Sequence, residues 1–202
     1  SRQTGTSPTV EQIIGQMPSI QVGNFLFRNN GDLTFSKTTS EWGINRLFKS
    51  NGAAYADLDN DGDPDLVINT MNEKAAVYRN STSENHKANF LKVDLRKSNP
   101  KQIIVGTKVI AHSAGNIHYQ EFSPVRGFQS ALHVPLLFGV STHTLVDSVR
   151  VIWPDNRTQL LTGVPVQQPL TPRYEEAMST YTYAGPAEPL FKETQLLNWK
   201  HA

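Results

Sequence analysis

The feature that most constrains this chain is an acidic stretch at residues 57–65, with the sequence Asp-Leu-Asp-Asn-Asp-Gly-Asp-Pro-Asp. Carboxylates occupy its first, third, fifth, seventh and ninth positions. Like charges this crowded repel one another unless a cation lies among them. Glycine at the sixth position accommodates a sharp backbone bend, which lets alternate side chains turn toward one point. The stretch therefore predicts a loop closed around a metal ion.

Calcium fits this pattern better than magnesium does. Calcium accepts about six to eight oxygen ligands in a flexible arrangement, whereas magnesium prefers a rigid octahedron and keeps several waters. An EF-hand would also need a glutamate at the twelfth position, which is Ile68 in a strand-like run. The alternative is a solvated turn without an ion. The expected ligands are four side chains and one backbone carbonyl: Asp57, Asp59, Asp61 and Asp65, with the carbonyl of Asp63.

Short β-strands are predicted on both sides of the acidic loop. Runs 25–28 and 33–36 flank Asn-Asn-Gly-Asp, and Asn-Gly supplies the positive φ angles of a tight hairpin turn. Runs 53–56 and 66–69 lead into and out of the loop, and run 75–79 follows another polar turn. The sequence thus predicts a hairpin followed by a three-stranded meander.

A second series of strand-like runs begins at Phe90, and glycines and polar turns separate its members. Val149, Val151 and Trp153 alternate on one strand face, which places Trp153 in a core. Apolar residues between Val10 and Met17 recur with a short helical period. We therefore predict an all-β chain with one short N-terminal helix, a β-meander, and a β-sandwich or barrel-like unit. The runs are Phe90–Leu95, Lys108–His112, His118–Phe122, Ser130–Leu137, Ser148–Trp153 and Gln159–Thr162.

The first half resembles a known repeat family. Residues 24–35 and 51–56, with the acidic loop, look like an FG-GAP or VCBS-type repeat, which forms propeller blades in integrins and bacterial surface proteins. The resemblance implies a partial propeller blade. Carried over, the family's calcium ligands fall on the same five aspartates, with Asp63 acting through its carbonyl.

The second half resembles the ASPIC/UnbV domain, which accompanies such repeats in proteins similar to cartilage acidic protein. The matching segments are 126–130, 137–139 and 149–155. Two positions depart from that pattern, because Asn156 and Ser141 stand where glycines are usual. Asn tolerates the left-handed backbone region at a turn, so Asn156 is expected to keep the turn shape.

The two resemblances suggest a division of the chain. We expect an N-terminal segment with a short helix at 1–23, the calcium repeat at 24–87, the ASPIC/UnbV-like domain at 88–175, and a linker with the start of a further repeat at 176–202. The last segment contains Leu190–Thr194, which resembles the opening of another blade. A partial blade leaves a strand edge unpaired, so we expect the chain to be a piece of a longer propeller protein.

The resemblance implies a non-catalytic calcium-binding adhesion or ligand-binding module. The expected location is outside the cytosol, secreted or in the cell envelope at the outer surface or in the periplasm. A protein or glycan ligand at the cell surface and the rest of the parent propeller are the expected partners. Cysteine is absent, which excludes disulfides and zinc-thiolate sites. No apolar run approaches the roughly 20 residues of a membrane span.

Two other functions stay open. A nucleic-acid-binding protein is one, through a modest cluster of Arg96, Lys97, Lys101 and Lys108, although the net charge of only +1 makes nucleic acid an unlikely partner. An accessory domain of a carbohydrate-active enzyme is the other. Its candidate residues are carboxylates facing a cleft and aromatic rings that stack on sugars: Glu121 and Asp147, with Trp42, Phe128, Tyr181 and Tyr183. No His-Glu-x-x-His, Gly-x-Ser-x-Gly or phosphate-loop motif is found.

Overall fold

Short antiparallel strands dominate the computed structural model, which describes residues 9–16, 22–71, 73–96, 104–125 and 127–185. The predicted all-β class with one short N-terminal helix is confirmed, since the described part contains only two short α-helices and one 3₁₀ turn. Helix α1 spans Val10–Gln16. The predicted start of a further repeat at 190–194 lies outside the described residues.

The predicted hairpin is confirmed. Strand β2 (Phe27–Asn29) pairs with β3 (Phe35–Lys37), and Asn29 lies opposite Phe35. Gly31 takes a φ of +84° in the turn, as predicted, whereas the second positive φ, +67°, falls on Leu33 and not on Asn30. Two further short strands pair with each other beside it, β1 (Val22–Gly23) and β4 (Leu47–Phe48).

The predicted meander is also confirmed, and the acidic loop is one of its connections. The meander consists of β5 (Ser50–Ala56), β6 (Asp65–Thr70) and β7 (Ala76–Tyr78), in that spatial order. Ala56 pairs with Asp65, so the loop starts and ends on adjacent hydrogen-bonded strands. A small core of Phe48, Ile68 and Ala76 lies beneath the meander.

The second unit, defined as β8–β15, contains two sheets over one core. The larger sheet has the order β10-β9-β12-β13-β15, and the smaller has the order β11-β8-β14. Buried side chains from both sheets form the main core cluster, including Leu91 and Phe138 from the smaller sheet and Val109 and Val149 from the larger. This two-layer packing is a sandwich arrangement. The strands are β8 (Phe90–Val93), β9 (Lys108–Ser113), β10 (Asn116–Glu121), β11 (Leu136–Gly139), β12 (Leu145–Ile152), β13 (Arg157–Pro165), β14 (Pro169–Leu170) and β15 (Ser179–Thr180).

Trp153 lies in this core, as predicted. Its side chain is 1% exposed, and Val149 and Val151 are fully buried on the same strand face. The ring of Tyr174 packs edge-on against Trp153 with 5.5 Å between centroids. Tyr174 follows the last long strand, so the segment after Pro172 contributes to the core.

Three segments differ from the sequence-based expectation. Helix α2 (Thr82–His86) was not predicted. The run 130–137 forms a strand only from Leu136, because Pro135 has no N–H to donate to a ladder. Part of the expected linker is ordered against the sheet, since β15 pairs with β13 through Arg157 and Thr180.

The two departures from the ASPIC/UnbV pattern both occupy positive-φ positions. Asn156 has a φ of +67°, in the turn where the backbone N–H of Asn156 donates to the carbonyl of Trp153. Ser141 has a φ of +55°, in the turn closed from His143 to Val140. Asn tolerates this region through its short polar side chain, whereas Ser is disfavoured there. The strain is therefore concentrated at Ser141.

We expect Ser141→Gly to stabilise the protein by about 0.5 to 1 kcal/mol, because the relief of left-handed strain exceeds the extra entropy of glycine in the unfolded chain. Urea denaturation measures this. Ser148→Gly is the matched control, since Ser148 lies within β12; it should destabilise. Equal effects of the two substitutions would contradict the strain at Ser141.

A second prediction concerns the pH dependence of stability. The hydroxyl of Tyr174 donates to Asp155 at 2.6 Å, and this bond lowers the pKa of Asp155 below its ordinary 3.8. A lowered pKa means that the contribution is fully present above pH 3.8 and is lost as pH falls through the folded-state pKa. The native protein should therefore have a higher free energy of unfolding than Tyr174→Phe at pH 7, and this difference should shrink below pH 3.8.

Urea unfolding at pH 7 and at pH 2.5 tests this difference. Tyr183→Phe serves as the control, because the hydroxyl of Tyr183 accepts from Lys108, which stays protonated across that range. A Tyr174→Phe gap that is unchanged at low pH would show that the hydroxyl stabilises the fold by some other contact.

Candidate metal centre

The last aspartate of the acidic loop, Asp65, closes the loop by accepting two backbone hydrogen bonds. One carboxylate oxygen of Asp65 accepts from the backbone N–H of Leu58 at 3.0 Å, and the other accepts from the backbone N–H of Asn80 at 2.8 Å. Asp65 is only 2% exposed. These bonds tie the start of the loop to its end and to the segment after β7, so Asp65 fixes the shape of the loop.

Three of the five predicted ligands converge. Carboxylate oxygens of Asp57, Asp59 and Asp61 all lie within 4.8 Å of one another. The backbone produces this convergence through two left-handed residues, Asn60 at a φ of +64° and Gly62 at +95°. Backbone N–H groups two residues further on donate to the Asp59 and Asp61 carboxylates, which hold the side chains in tight local turns.

Asp57 has the most informative environment. Its side chain is only 4% exposed, and its Oδ1 has no hydrogen-bond partner. Its Oδ2 accepts from Lys92 Nζ at 3.2 Å. A buried carboxylate oxygen without a partner is costly in a folded protein. A hard cation that binds oxygen would satisfy it, so the loop fits calcium.

Asp63 points away from the three converging carboxylates. Its Oδ2 accepts from the backbone N–H of Ser83 at 2.7 Å, near the start of helix α2, and its buried Oδ1 has no partner. The carbonyl of Asp63, which the sequence suggests as a ligand, is a separate group from this carboxylate. Thus Asp63 and Asp65 anchor the loop to its surroundings, while the other three aspartates face one another.

Two cationic side chains compensate the charge of the three converging carboxylates. Arg79 donates to Asp59 Oδ2 at 2.6 Å and approaches Asp61 Oδ2 at 3.4 Å. Lys92, from β8, donates to Asp57 and to Asn60 Oδ1 at 3.0 Å. The hydrogen bond from Arg79 lowers the pKa of Asp59, whereas burial is the main cause that raises the pKa of Asp61.

The loop also packs against the second unit through an aromatic ring. Gly62 lies so close to Phe90 that an added methyl group would overlap the ring. Phe90 and Lys92 are both on β8, so one strand supplies an apolar contact and a cation to the loop. A second close approach joins the backbones of Gly127 and Ala53, where any side chain at Gly127 would overlap the Ala53 carbonyl.

Sequence reasoning did not identify the basic partners. Lys92 lies 35 residues from Asp57 along the chain and is placed by the pairing of β8 within its own sheet. The position of Arg79 could be found in part from the sequence, because Arg79 is the last residue of the strand predicted at 75–79. Phe90 was predicted only as the start of a strand.

A cleft of about 350 Å³ opens beside the loop, between the meander and the second unit. Tyr55 and Pro64 line it from the meander side, and Gln120, Glu121 and Leu137 line it from the second unit. Its walls are mixed in polarity, with Lys92 and Asp57 at the end near the loop. The cleft therefore offers both an apolar surface and hydrogen-bonding groups.

The other charged candidates that the structure describes are engaged in structural contacts, whereas Trp42 and Phe128 are more than half exposed. Asp147 accepts from the backbone N–H of Ala114, and Glu121 accepts from the hydroxyl of Tyr119 at 3.2 Å. Arg96 pairs with Asp94, and Lys108 donates to the hydroxyl of Tyr183. Two strand histidines, His112 on β9 and His118 on β10, lie opposite Ile117 and Ala111, so they are on opposite faces of the sheet. Lys97 and Lys101 lie outside the described residues.

Comparisons with known proteins match both halves of the chain. Residues 14–68 match the family model of the FG-GAP-like repeat, and residues 96–179 match the family model named ASPIC and UnbV. The acidic loop falls within the first match, and the larger sheet of the second unit falls within the second except for Thr180, the last residue of β15. A search of curated proteins gave no match to this chain.

We expect Gly62→Ala to cost about 2 to 4 kcal/mol, because it adds an overlap with the Phe90 ring to the strain of a positive φ. Gly31→Ala is the matched control, since Gly31 has a similar φ of +84° and open space around it. It should cost only about 1 kcal/mol. Urea denaturation of both variants measures the difference. Equal costs would show that Phe90 does not pack tightly on the loop.

Proposed function

Because the chain joins an FG-GAP-like repeat to an ASPIC and UnbV domain, we propose that it is a non-catalytic, calcium-binding ligand-binding module of a secreted or cell-surface protein. The observation that carries the calcium assignment is the buried, unpartnered Oδ1 of Asp57 beside two further carboxylates. Calcium at this point would neutralise the repulsion of the three side chains and hold the loop in its folded form.

The proposed ligand set keeps all five aspartates in the roles assigned from the sequence. Asp57, Asp59 and Asp61 contribute carboxylate oxygens, and Asp63 contributes its carbonyl. Asp65 also contributes a carboxylate oxygen, because each oxygen of an ionised carboxylate has two lone pairs and one stays free after a hydrogen bond. Its two backbone hydrogen bonds are thus compatible with a role as a ligand.

FG-GAP-like repeats are protein-interaction modules, and the surface of this chain supports an interaction role. Phe25, Phe27 and Phe35 on the β2–β3 hairpin are each more than half exposed. A concentration of exposed aromatic rings is typical of a surface that contacts another molecule. We propose a protein or glycan ligand at the cell surface, in the envelope or outside the cell, and contact with further blades of the parent propeller. No described helix is long and apolar enough to cross a membrane.

The alternative functions have less support. The described members of the basic cluster, Arg96 and Lys108, already contact Asp94 and Tyr183. To neutralise the phosphates of a nucleic acid, both side chains would have to leave these contacts. The carboxylates considered for a carbohydrate-active domain, Glu121 and Asp147, act as acceptors for a neighbouring tyrosine and a turn. Glu121 does line the cleft beside the acidic loop, but Asp147 does not, so the cleft brings in only one of the two carboxylates considered for this function.

We expect calcium to raise the unfolding midpoint, and chelation to reverse this, because an ion that binds only the folded loop stabilises it by mass action. At free calcium about a hundredfold above the dissociation constant, the gain is about 2.7 kcal/mol. Asp59→Asn should remove most of the gain. Differential scanning calorimetry with calcium and with chelator measures both effects.

Asp32→Asn is the control for the loss of one negative charge. Asp32 lies in the β2–β3 turn, away from the acidic loop, and accepts from Thr34, so this variant should keep the full calcium-dependent shift. Asp65→Asn should lower stability with and without calcium, because an amide nitrogen replaces one of two accepting oxygens. Undiminished calcium binding by Asp59→Asn in isothermal titration calorimetry would refute the ligand set.

A further inference from the structure

Two basic side chains contact the acidic loop, and they differ in how exposed they are to solvent. Lys92 Nζ binds Asp57 from the second unit, and its side chain is only 16% exposed. Arg79 binds Asp59 and Asp61 from the end of the meander, and its side chain is 55% exposed. The buried pair is fixed by the packing of β8, whereas the exposed arginine is held by its hydrogen bonds alone.

Arg79 has a second acidic partner outside the loop. Its terminal nitrogen donates to Glu84 Oε1 at 2.5 Å, and Glu84 is on helix α2. The guanidinium therefore bridges the loop carboxylates and the helix. Because its planar fork presents several donors, it can give up the contacts on one side and keep the charge-assisted bond on the other.

The charges determine which cation must move. Asp57, Asp59 and Asp61 bring three negative charges together, and Arg79 and Lys92 supply two positive ones. With Asp65 included, the four proposed carboxylate ligands balance a divalent cation and both basic side chains in charge, but calcium and Arg79 would then share the carboxylates of Asp59 and Asp61. Like charges within a few ångströms repel strongly in a partly buried site. Withdrawal of one basic side chain relieves this repulsion, and the exposed Arg79 costs less to withdraw than the buried Lys92.

We propose that Arg79 acts as a built-in competitor for the calcium site: it satisfies Asp59 and Asp61 when calcium is absent, and it releases them to pair with Glu84 alone when calcium binds. This inference rests on the proposed calcium binding and deepens it. Arg79 thereby sets the calcium affinity of the loop without being a ligand, and it also keeps the calcium-free loop folded. Lys92 stays on Asp57 in both states.

Calcium titrations of matched arginine variants test this proposal. Arg79→Gln should bind calcium about two- to fivefold more tightly than the native chain, since the competing ion pair is removed. Arg46→Gln is the control, because Arg46 is a comparably exposed arginine that pairs with Glu73, and its substitution makes the same change in net charge. It should change the affinity much less. Isothermal titration calorimetry at fixed ionic strength gives the comparison.

Stability without calcium provides a second readout. With a chelator present, Arg79→Gln should unfold at lower urea than Arg46→Gln, because Asp59 and Asp61 lose their counterion. Saturating calcium should close this gap, since Arg79 no longer contacts those carboxylates. Arg79→Lys keeps the charge but cannot bridge as the guanidinium does, so its affinity should fall between the native chain and Arg79→Gln.

The possible outcomes distinguish the competitor role of Arg79 from calcium binding by the loop. Calcium binding of equal strength in Arg79→Gln and Arg46→Gln would overturn the competitor role while leaving calcium binding intact. Weaker binding in Arg79→Gln would also overturn it, by making Arg79 a support of the bound state. An absence of calcium binding in the native chain and all variants would overturn both the proposed function and this inference.

Discussion

The electrostatic repulsion among Asp57, Asp59 and Asp61 is the constraint on which the arrangement around the loop depends. The backbone brings these carboxylates within 4.8 Å of one another, and such an approach is unfavourable without positive charge. The surrounding elements are placed to supply it. Arg79 lies at the end of the meander, and Lys92 lies on the first strand of the second unit. The loop thus specifies where its neighbours must present cations.

The contact between the loop and β8 combines a charged and an apolar part. Phe90 packs on Gly62, and Lys92 pairs with Asp57, whose side chain is only 4% exposed. Exclusion of water strengthens the ion pair and raises the cost of the unpartnered Asp57 Oδ1. The same packing that joins the two halves of the chain therefore makes the loop suited to a cation. The larger core of the second unit holds β8 in position for both contacts.

The sequence predicted the elements whose signals are local. The hairpin turn at Gly31, the meander and the burial of Trp153 all follow from turn residues or alternation within one strand. Helix α2 was not predicted, because a helix of five residues with no buried side chain leaves no apolar periodicity in the sequence. Spacing grouped five loop aspartates, and the structure brings together the carboxylates of three of them, Asp57, Asp59 and Asp61. The sequence did not show that the Asp63 carboxylate reaches Ser83, because that bond depends on where the chain returns after β7.

Contacts between distant segments were beyond sequence reasoning for a physical reason. Lys92 and Asp57 meet because two separately formed sheets pack side by side, and neither residue has a local pattern that identifies its partner. Residues 179–180, at the start of the expected linker, likewise join the larger sheet through the pairing of Thr180 with Arg157. A β-ladder accepts any extended segment that reaches its edge, so composition alone does not separate such a segment from a free tether.

The contact of Lys92 and Phe90 with the loop has a mechanical consequence. A tensile load that pulls the meander away from the second unit would pass through this contact as well as through the covalent connection after β7. Rupture would require a buried ion pair and an aromatic contact to break together, with little elongation before failure. The acidic loop would then hold the meander and the second unit together under load. The charged groups around the loop would determine the force at which the two separate.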